Sequence, residues 1–213
     1  MKTGSQRPNF GLYAITNGPR VDLLDAAEQA LAGGATLLQY RDKTTDSARR
    51  QREAQALRLL CDRFEVPLII DNDVGLALAV AAAGVHLGKG DVDIHAARAT
   101  LGAQAIIGVS CGDSLAYAES AARAGASYIS FGAFFPSVTK PLAPRAPIEL
   151  LRQSAALGVP RVAIGGITPD NGAALVEAGA DFLGVISAVF AATDVRVAAS
   201  RFADLYSSHR APA

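Results

Sequence analysis

Short apolar runs alternate with segments of helical periodicity along almost the whole chain. The apolar runs predict strands at residues 11–16, 37–41, 68–70, 85–87, 106–110, 128–134, 161–164 and 182–186. Apolar residues at helical spacing predict helices at 21–31, 47–64, 93–101, 113–124, 147–157 and 171–178, with another between 73 and 84 and a last one ending near 206. Asp113 is the expected N-cap of the helix at 113–124, because an Asp side chain can accept from free backbone amides.

Eight strand–helix pairs without a domain-sized insertion predict a single compact (β/α)8 TIM barrel. We expect one domain over residues 1–213, with the barrel core at about 11–206. Weakly similar phrases recur at strand entrances, namely AGGATLLQYR, AAGVHLG, AGASYISFG and AGADFLGVIS, and we interpret them as the repeating unit of the barrel. An open sheet of six or seven strands is the alternative if one short strand is misassigned.

Composition narrows the function classes. The 213 residues include 20 basic and 20 acidic side chains, so zero net charge indicates no broad attraction to nucleic acid or to a membrane surface. The sequence has neither an apolar stretch of about 18 residues nor a signal-peptide core near its start, and a cytoplasmic location is expected. Cys61 and Cys111 are too few and too far apart for a disulfide framework or a zinc finger.

Two carboxylates follow neighbouring predicted strands. Asp73 comes after the strand at 68–70, and Asp91 comes after the strand at 85–87. A right-handed crossover places such parallel strands side by side, so both acids should lie on one rim, where hard oxygen ligands suit Mg²⁺. Helix capping is the alternative for Asn72 and Asp73. His86 lies among apolar neighbours and is predicted to be a satisfied core histidine.

The second predicted strand ends in polar residues that alternate. Gln39, Arg41 and Lys43 should point to one side, because side chains in a strand alternate between its two faces. Three polar residues inside a barrel need partners, and the guanidinium of Arg41 matches phosphate oxygens. We therefore predict a clamp for an anionic group. An Arg–Asp ion pair that closes the barrel top is the structural alternative.

The segment 132–144, after the sixth predicted strand, combines hydroxyls, a lysine and prolines. Ser137 and Thr139 can donate to phosphate oxygens and Lys140 adds positive charge, so the segment has the features of a functional loop. A solvated surface loop is the alternative interpretation.

Three further strand ends carry candidate ligand contacts. Gly166 after the seventh strand, and Ile186 and Ser187 after the eighth, lie where barrels commonly bind phosphate through backbone amides. Ser110 ends the fifth strand and could equally cap a helix. Cys111 has no activating partner evident in the sequence, and we treat it as incidental.

The ordered set QYRDK, IIDNDV, GVHLGKGD, GVS, PSVTK, AIGGI and VIS resembles the thiamine phosphate synthase family. The resemblance extends from residue 12 to the end of the eighth strand. It implies a (β/α)8 barrel that transfers the hydroxymethylpyrimidine group from its diphosphate to the ring nitrogen of hydroxyethylthiazole phosphate and releases pyrophosphate. The family reaction is thought to pass through a pyrimidine carbocation, which requires no general base.

The resemblance also implies residue roles. Asp73 and Asp91 would bind Mg²⁺, and the pyrimidine diphosphate would contact Gln39, Arg41, Lys43, Asn72, Ser110 and Lys140. The thiazole phosphate would contact Ser137, Thr139, Gly166, Ile186 and Ser187. Arg41, Lys43 and Lys140 would supply the catalytic positive charge. The implied partners are these two small molecules, with no nucleic acid and no membrane, and the sequence allows a homodimer without fixing the oligomeric state.

The chain departs from the usual family pattern at Ser137, Ala133, Val74 and Lys89-Gly90. One alternative is therefore a divergent paralogue of the same barrel, such as a thiazole tautomerase or a non-catalytic ligand-binding regulator. A second is a phosphate-binding isomerase or aldolase, which would need a buried catalytic base or a Schiff-base lysine.

Overall fold

Eight parallel strands close on themselves in the computed structural model, which describes residues 10–136 and 144–207. The strands are β1 (Gly11–Ile15), β2 (Ala35–Tyr40), β3 (Leu68–Asp71), β4 (Gly84–Leu87), β5 (Ile106–Gly112), β6 (Tyr128–Phe131), β7 (Arg161–Ile164) and β8 (Phe182–Val185). Each strand pairs with the next, and β1 also pairs with β8. The predicted (β/α)8 barrel is confirmed, and the open-sheet alternative is wrong.

Helices follow the strands on the outside of the barrel. They are α1 (Leu23–Ala32), α2 (Ser47–Phe64), α3 (Val74–Ala79), α4 (Ile94–Leu101), α5 (Leu115–Arg123), α6 (Glu149–Gln153), α7 (Pro169–Glu177), α8 (Ser187–Phe190) and α9 (Val195–Ser207). A 3₁₀ turn at Ser154–Leu157 continues α6, so the helix predicted at 147–157 is regular α-helix over only part of that range. The last helix, α9, ends at Ser207, as the predicted end near residue 206 requires. The short helix α8 precedes it, and Asp194 accepts a hydrogen bond from Val197 N at 2.9 Å at the start of α9.

The predicted cap of α5 is wrong by one residue. Ser114, and not Asp113, is the N-cap, and its side chain accepts from Tyr117 N at 3.2 Å. The cause is the length of β5, which continues to Gly112, beyond the predicted end at residue 110. The helix therefore begins only at Leu115.

Apolar side chains form two separate clusters on the two faces of the sheet. The cluster inside the barrel consists of Tyr13, Ile15, Leu37, Ile69, Tyr128, Val162 and Phe182. The larger cluster fills the shell between the strands and the helices, with Leu38 and Ile70 from the sheet and Leu57 and Phe202 from the helices. Since side chains alternate along a strand, residues two positions after an interior residue also point inward, one step nearer the carboxyl ends of the strands.

No helix in residues 10–136 and 144–207 is both long enough and apolar enough to cross a membrane. That residues 1–213 form one domain stays a prediction.

Candidate active site

Two cations from the loop after β2 converge on a carboxylate at the end of β3. Lys43 Nζ lies 2.6 Å from Asp71 Oδ2, and Arg41 Nε lies 3.9 Å from the same oxygen. Lys43 Nζ also donates to Asn72 Oδ1 at 2.7 Å. The Asp71 side chain is only 11% exposed, whereas that of Lys43 is 53% exposed. Arg41 and Lys43 therefore lie together at the barrel mouth, where both contact Asp71, as the structural alternative of an Arg–Asp pair expects. That they clamp an anionic group stays a prediction.

Asn72 links the end of β3 to the loop after β4. Its backbone is left-handed, with φ of 63°, a conformation that Asn tolerates better than most residues. Asn72 Nδ2 donates to Asp91 Oδ2, and Gly88 N donates to the same oxygen at 2.6 Å. Asp91 is thus connected through Asn72 to Lys43, so the carboxyl ends of β2, β3 and β4 form one polar group.

Asp73 has a different set of partners from Asp91. Its Oδ1 accepts from Leu76 N at 2.8 Å, which makes Asp73 the N-cap of α3. Its Oδ2 accepts from Arg50 Nη2 at 2.9 Å. The helix-capping interpretation therefore holds for Asp73, and an ion bound to this carboxylate would compete with Arg50.

The oxygen atoms at this rim fit Mg²⁺. Asp71 Oδ2 is buried and has no partner with hydrogen-bond geometry among the described residues; its close contact with Lys43 Nζ is an ion pair. The exposed carboxylate of Asp91 and the amide oxygen of Asn72 add hard ligands. In the described part of the chain, no three His, Cys, Asp or Glu side chains form a metal cluster. Mg²⁺ is usually held by one or two carboxylates together with substrate phosphates.

A cleft of about 560 Å³ opens beside this group of side chains. Lys43, Asp71, Asn72 and Asp73 line it from the strand ends, and Arg50 lines it from α2. Cations and carboxylates therefore line one solvent-connected cleft.

The loop that carries Lys43 is fixed by a buried ion pair. The Asp42 carboxylate has no exposed surface, lies 2.7 Å from Arg49 Nη2 and accepts from Thr44 N at 2.8 Å. Burial alone would raise the pKa of Asp42, but the hydrogen bonds from Thr44 and the charges of Arg49 and Arg50 outweigh it, so the pKa is lowered. Asp42 therefore stays ionised and holds the turn after β2.

Hydrogen-bonded side chains cross the barrel interior below the mouth. Gln39 Nε2 donates to Tyr13 Oη at 2.6 Å, the Tyr13 and Tyr128 hydroxyls are 2.8 Å apart, and Tyr128 Oη lies 3.0 Å from His86 Nδ1. The His86 ring also stacks on Tyr128, with ring centroids 5.6 Å apart. We call these four residues the phenol network. Burial raises the pKa of Tyr13 and Tyr128 above the ordinary value, so both remain neutral hydroxyls.

Gly108 makes room for the phenol network. A Cβ on this residue of β5 would overlap the Tyr128 ring, so only glycine lets the phenol lie across β5 toward His86 on β4. Residue 108 must therefore lack a side chain because the ring of Tyr128, on β6, occupies that space.

The remaining predicted contacts lie at the ends of β5, β7 and β8. Ser110 is half-buried on β5, Ile186 precedes α8, and Ser187 is the exposed first residue of α8. Gly166 has φ of +65°, and a Cβ there would overlap the Pro136 carbonyl oxygen. The turn after β7 therefore lies against the segment that follows β6. Ser137, Thr139 and Lys140 lie outside the described residues.

A family model described as thiamine monophosphate synthase matches residues 12–189. The chain belongs to the thiamine monophosphate synthase family. It is 57% identical over 187 residues to the thiamine-phosphate synthase of Azoarcus sp. (strain BH72), covering 86% of this chain and 91% of that protein. It is 50% identical over 208 residues to the thiamine-phosphate synthase of Methylobacillus flagellatus, covering 97% and 100%. The solved thiamine phosphate pyrophosphorylase from Pyrococcus furiosus superposes with a TM-score of 0.86 at 34% identity, covering 96% and 98% of the two chains.

Several side chains in this thiamine monophosphate synthase family barrel were missed from the sequence. Asp71 could have been found by the alternation rule, because Ile69 is an interior residue and Asp71 follows two positions later. Arg49 and Arg50 also carried a signal: they lie in the first turn of α2, where the helix dipole disfavours cations unless acids compensate. The partnership of Tyr13 with Tyr128 spans 115 positions, and no local pattern indicates it.

Proposed function

We propose that this chain is a thiamine-phosphate synthase. In the reaction, the bond between the pyrimidine methylene carbon and the diphosphate oxygen breaks, pyrophosphate leaves with the electron pair, and the thiazole ring nitrogen bonds to the carbon. The family membership supports the reaction class. The observation that carries the proposal at the level of the site is the meeting of Arg41 and Lys43 with Asp71 and Asn72 at one barrel mouth.

Positive charge is what this substitution needs most. Pyrophosphate becomes a good leaving group when its developing negative charge is neutralised in a site that excludes bulk water. Lys43 lines the cleft and Arg41 lies close to Asp71, which also lines it, and we assign this role to both cations. We assign Lys140 the same role from its sequence position and the family resemblance. Each cation would contribute more in the transition state than with the intact substrate, because charge builds up on the leaving oxygen.

We propose Mg²⁺ as the cofactor, with Asp73 and Asp91 as its protein ligands and Asp71 as a third candidate. When bound, the ion would neutralise diphosphate oxygens as a Lewis acid. The chain's own contribution is to present carboxylates from β3 and the β4 loop on one rim. When the ion binds Asp73, Arg50 would either give up its hydrogen bond to that carboxylate or neutralise the charge that remains on it.

Two sets of contacts would hold the organic parts of the substrates. We assign Gln39, Asn72 and Ser110 to the pyrimidine substrate, since Gln39 and Ser110 point into the barrel and Asn72 lies at its rim. We assign Ser137, Thr139, Gly166, Ile186 and Ser187 to the thiazole phosphate. The support for this second set is the family resemblance together with the proximity of Gly166 to residues 135–136.

The proposed mechanism uses no covalent nucleophile. Burial raises the pKa of the Cys111 thiol to about 12, so it is not a thiolate near neutral pH. His86 is engaged with Tyr128 in the phenol network. Holding the thiazole nitrogen close to the electrophilic carbon would supply the remaining acceleration.

We also propose that the protein is located in the cytoplasm, that it binds no nucleic acid, and that its oligomeric state is a homodimer. Zero net charge supports the second.

The test is pyrophosphate release from the two substrates in the presence of Mg²⁺. We expect release that requires both substrates, and a large loss of rate in Lys43→Ala. Asp204→Ala serves as the control, since Asp204 is an exposed residue on α9. Folded wild-type protein that released no pyrophosphate above background at saturating substrates would refute the proposal.

A further inference from the structure

Ser130 on β6 has a buried hydroxyl that no described residue satisfies. The residue is 1% exposed, and its Oγ has no hydrogen-bond partner in residues 10–136 and 144–207. A buried hydroxyl without a partner is unfavourable, and in most proteins such a group is paired with protein or with ordered water. Ser154, a buried serine elsewhere in the described chain, follows that rule, because its Oγ donates to Leu150 O at 2.7 Å.

The strand geometry places this hydroxyl inside the barrel, above the phenol network. Tyr128 belongs to the interior cluster, whereas Ile129 and Phe131 belong to the shell between strands and helices. Ser130 therefore shares the inward face with Tyr128 and lies one step nearer the mouth. Its register partners are Ser110 on β5 and the interior residue Val162 on β7.

We propose that Ser130 is a substrate contact, whose hydroxyl forms a hydrogen bond with the heteroaromatic ring of the pyrimidine diphosphate. This assignment rests on the proposed function and deepens it. A ring amino group or ring nitrogen would supply the partner that Ser130 lacks among the described residues. The hydroxyl can serve either one, because it can both donate and accept.

The ring suits Ser130 better than the diphosphate does. The cations that would bind phosphate oxygens lie at the rim, where Lys43 is half exposed. The strand neighbours of Ser130 are uncharged: Ser110 and Val162 flank it, and Tyr128 lies below it. The charge that acts on Tyr128 is the negative one of Asp71, which would repel a phosphate. A neutral ring with polar edges can enter this layer without the desolvation cost that a phosphate would have there.

The experiment compares Ser130→Ala with Ser154→Ala in the full chain. In urea without substrate, Ser130→Ala should keep or raise the unfolding midpoint, because the change removes a buried hydroxyl for which the described part of the chain offers no partner. Ser154→Ala should lower the unfolding midpoint, because it removes a hydroxyl that forms a hydrogen bond with Leu150 O. Calorimetric titration with the pyrimidine diphosphate should show roughly threefold to tenfold weaker binding to Ser130→Ala, because one hydrogen bond to the ring is lost. Affinity for inorganic pyrophosphate, which has no ring, should not change.

Each outcome decides the proposal. Unchanged affinity for the pyrimidine diphosphate would overturn it, and so would an equal loss for inorganic pyrophosphate, which would place the hydroxyl against phosphate. A lowered urea midpoint with unchanged affinity would show that Ser130 is structural. If wild-type protein binds the pyrimidine diphosphate but releases no pyrophosphate, the proposed function fails while the Ser130 contact is still decided by the affinity ratio. Wild-type protein that binds no pyrimidine diphosphate would overturn both.

Discussion

Gly108→Ala should be among the most damaging small substitutions in this barrel. The new methyl group would overlap the ring of Tyr128, which is held by Tyr13 on one side and His86 on the other. Overpacking costs about 1–3 kcal/mol, and two displaced hydrogen bonds add about 1 kcal/mol each, which gives roughly 3–5 kcal/mol in total. For a chain of this length, such a loss lowers the melting temperature by on the order of 10 °C.

The measurement is urea unfolding followed by circular dichroism, with two comparisons. Gly75→Ala is the matched control: Gly75 lies in helix α3 and its new Cβ would make only an ordinary contact, so the same change should stabilise by about 0.5–1 kcal/mol. In a Tyr128→Ala background, Gly108→Ala should cost little, because the ring is gone. An equal cost in both backgrounds would refute the reasoning and would point instead to strain in β5 itself.

Four further outcomes follow from the described contacts. Arg49→Ala should cost about 2–3 kcal/mol of unfolding free energy, because it leaves the buried Asp42 carboxylate without its cation but with its bond from Thr44. The pKa of Asp42 is lowered in the folded state, so the ionised carboxylate stabilises the fold at pH values above the ordinary Asp pKa. That stabilisation is lost as the pH falls through the pKa of Asp42 in the folded protein. The loss of unfolding free energy in Arg49→Ala should therefore become smaller over this acid range. Cys61 and Cys111, whose thiol pKa values burial raises to about 12, should react with a thiol reagent at neutral pH far more slowly in native than in unfolded protein. Asp91→Ala should remove most of the rate of pyrophosphate release and its Mg²⁺ dependence.

The contradicting results are equally concrete. A deficit of Arg49→Ala that did not change with pH would show that the charge of Asp42 is not the source of the effect. Rapid reaction of native protein with the thiol reagent would mean that Cys61 or Cys111 becomes exposed to solvent in the folded state. An undiminished Asp91→Ala would leave that carboxylate a purely structural partner of Asn72.

Local signals in the sequence were sufficient for the architecture. Helix α2 begins at Ser47 and ends at Phe64 as its periodicity predicts, because Asp46 caps one end and polar residues mark the outer face. Alternation from β2 onward predicted that Arg41 and Lys43 point to one side, and both contact Asp71. The strand predicted at 128–134 was too long, since β6 ends at Phe131. Beyond it, Gly132 N and Phe134 N still donate to the ends of β5 and β7.

The partners of the site residues depend on tertiary geometry that no local pattern encodes. The sequence alone does not indicate that Arg50 would reach Asp73, or that Asn72 would adopt the left-handed backbone that brings it to Asp91. The hydroxyl of Ser130 looks unremarkable within the apolar run of β6. Its lack of a hydrogen-bond partner among the described residues becomes evident only when the seven other strands surround it.

The pairing of β1 with β8 has a consequence for how this protein is made. A ribosome synthesises Gly11–Ile15 early and Phe182–Val185 late, yet these two strands are hydrogen-bonded neighbours in the finished molecule. Until the last strand emerges, the nascent sheet keeps two open edges that can pair with other chains. A transcript that stops before β8 would therefore yield an aggregation-prone fragment, and a chaperone that shields the first edge would have to stay bound until translation is nearly complete.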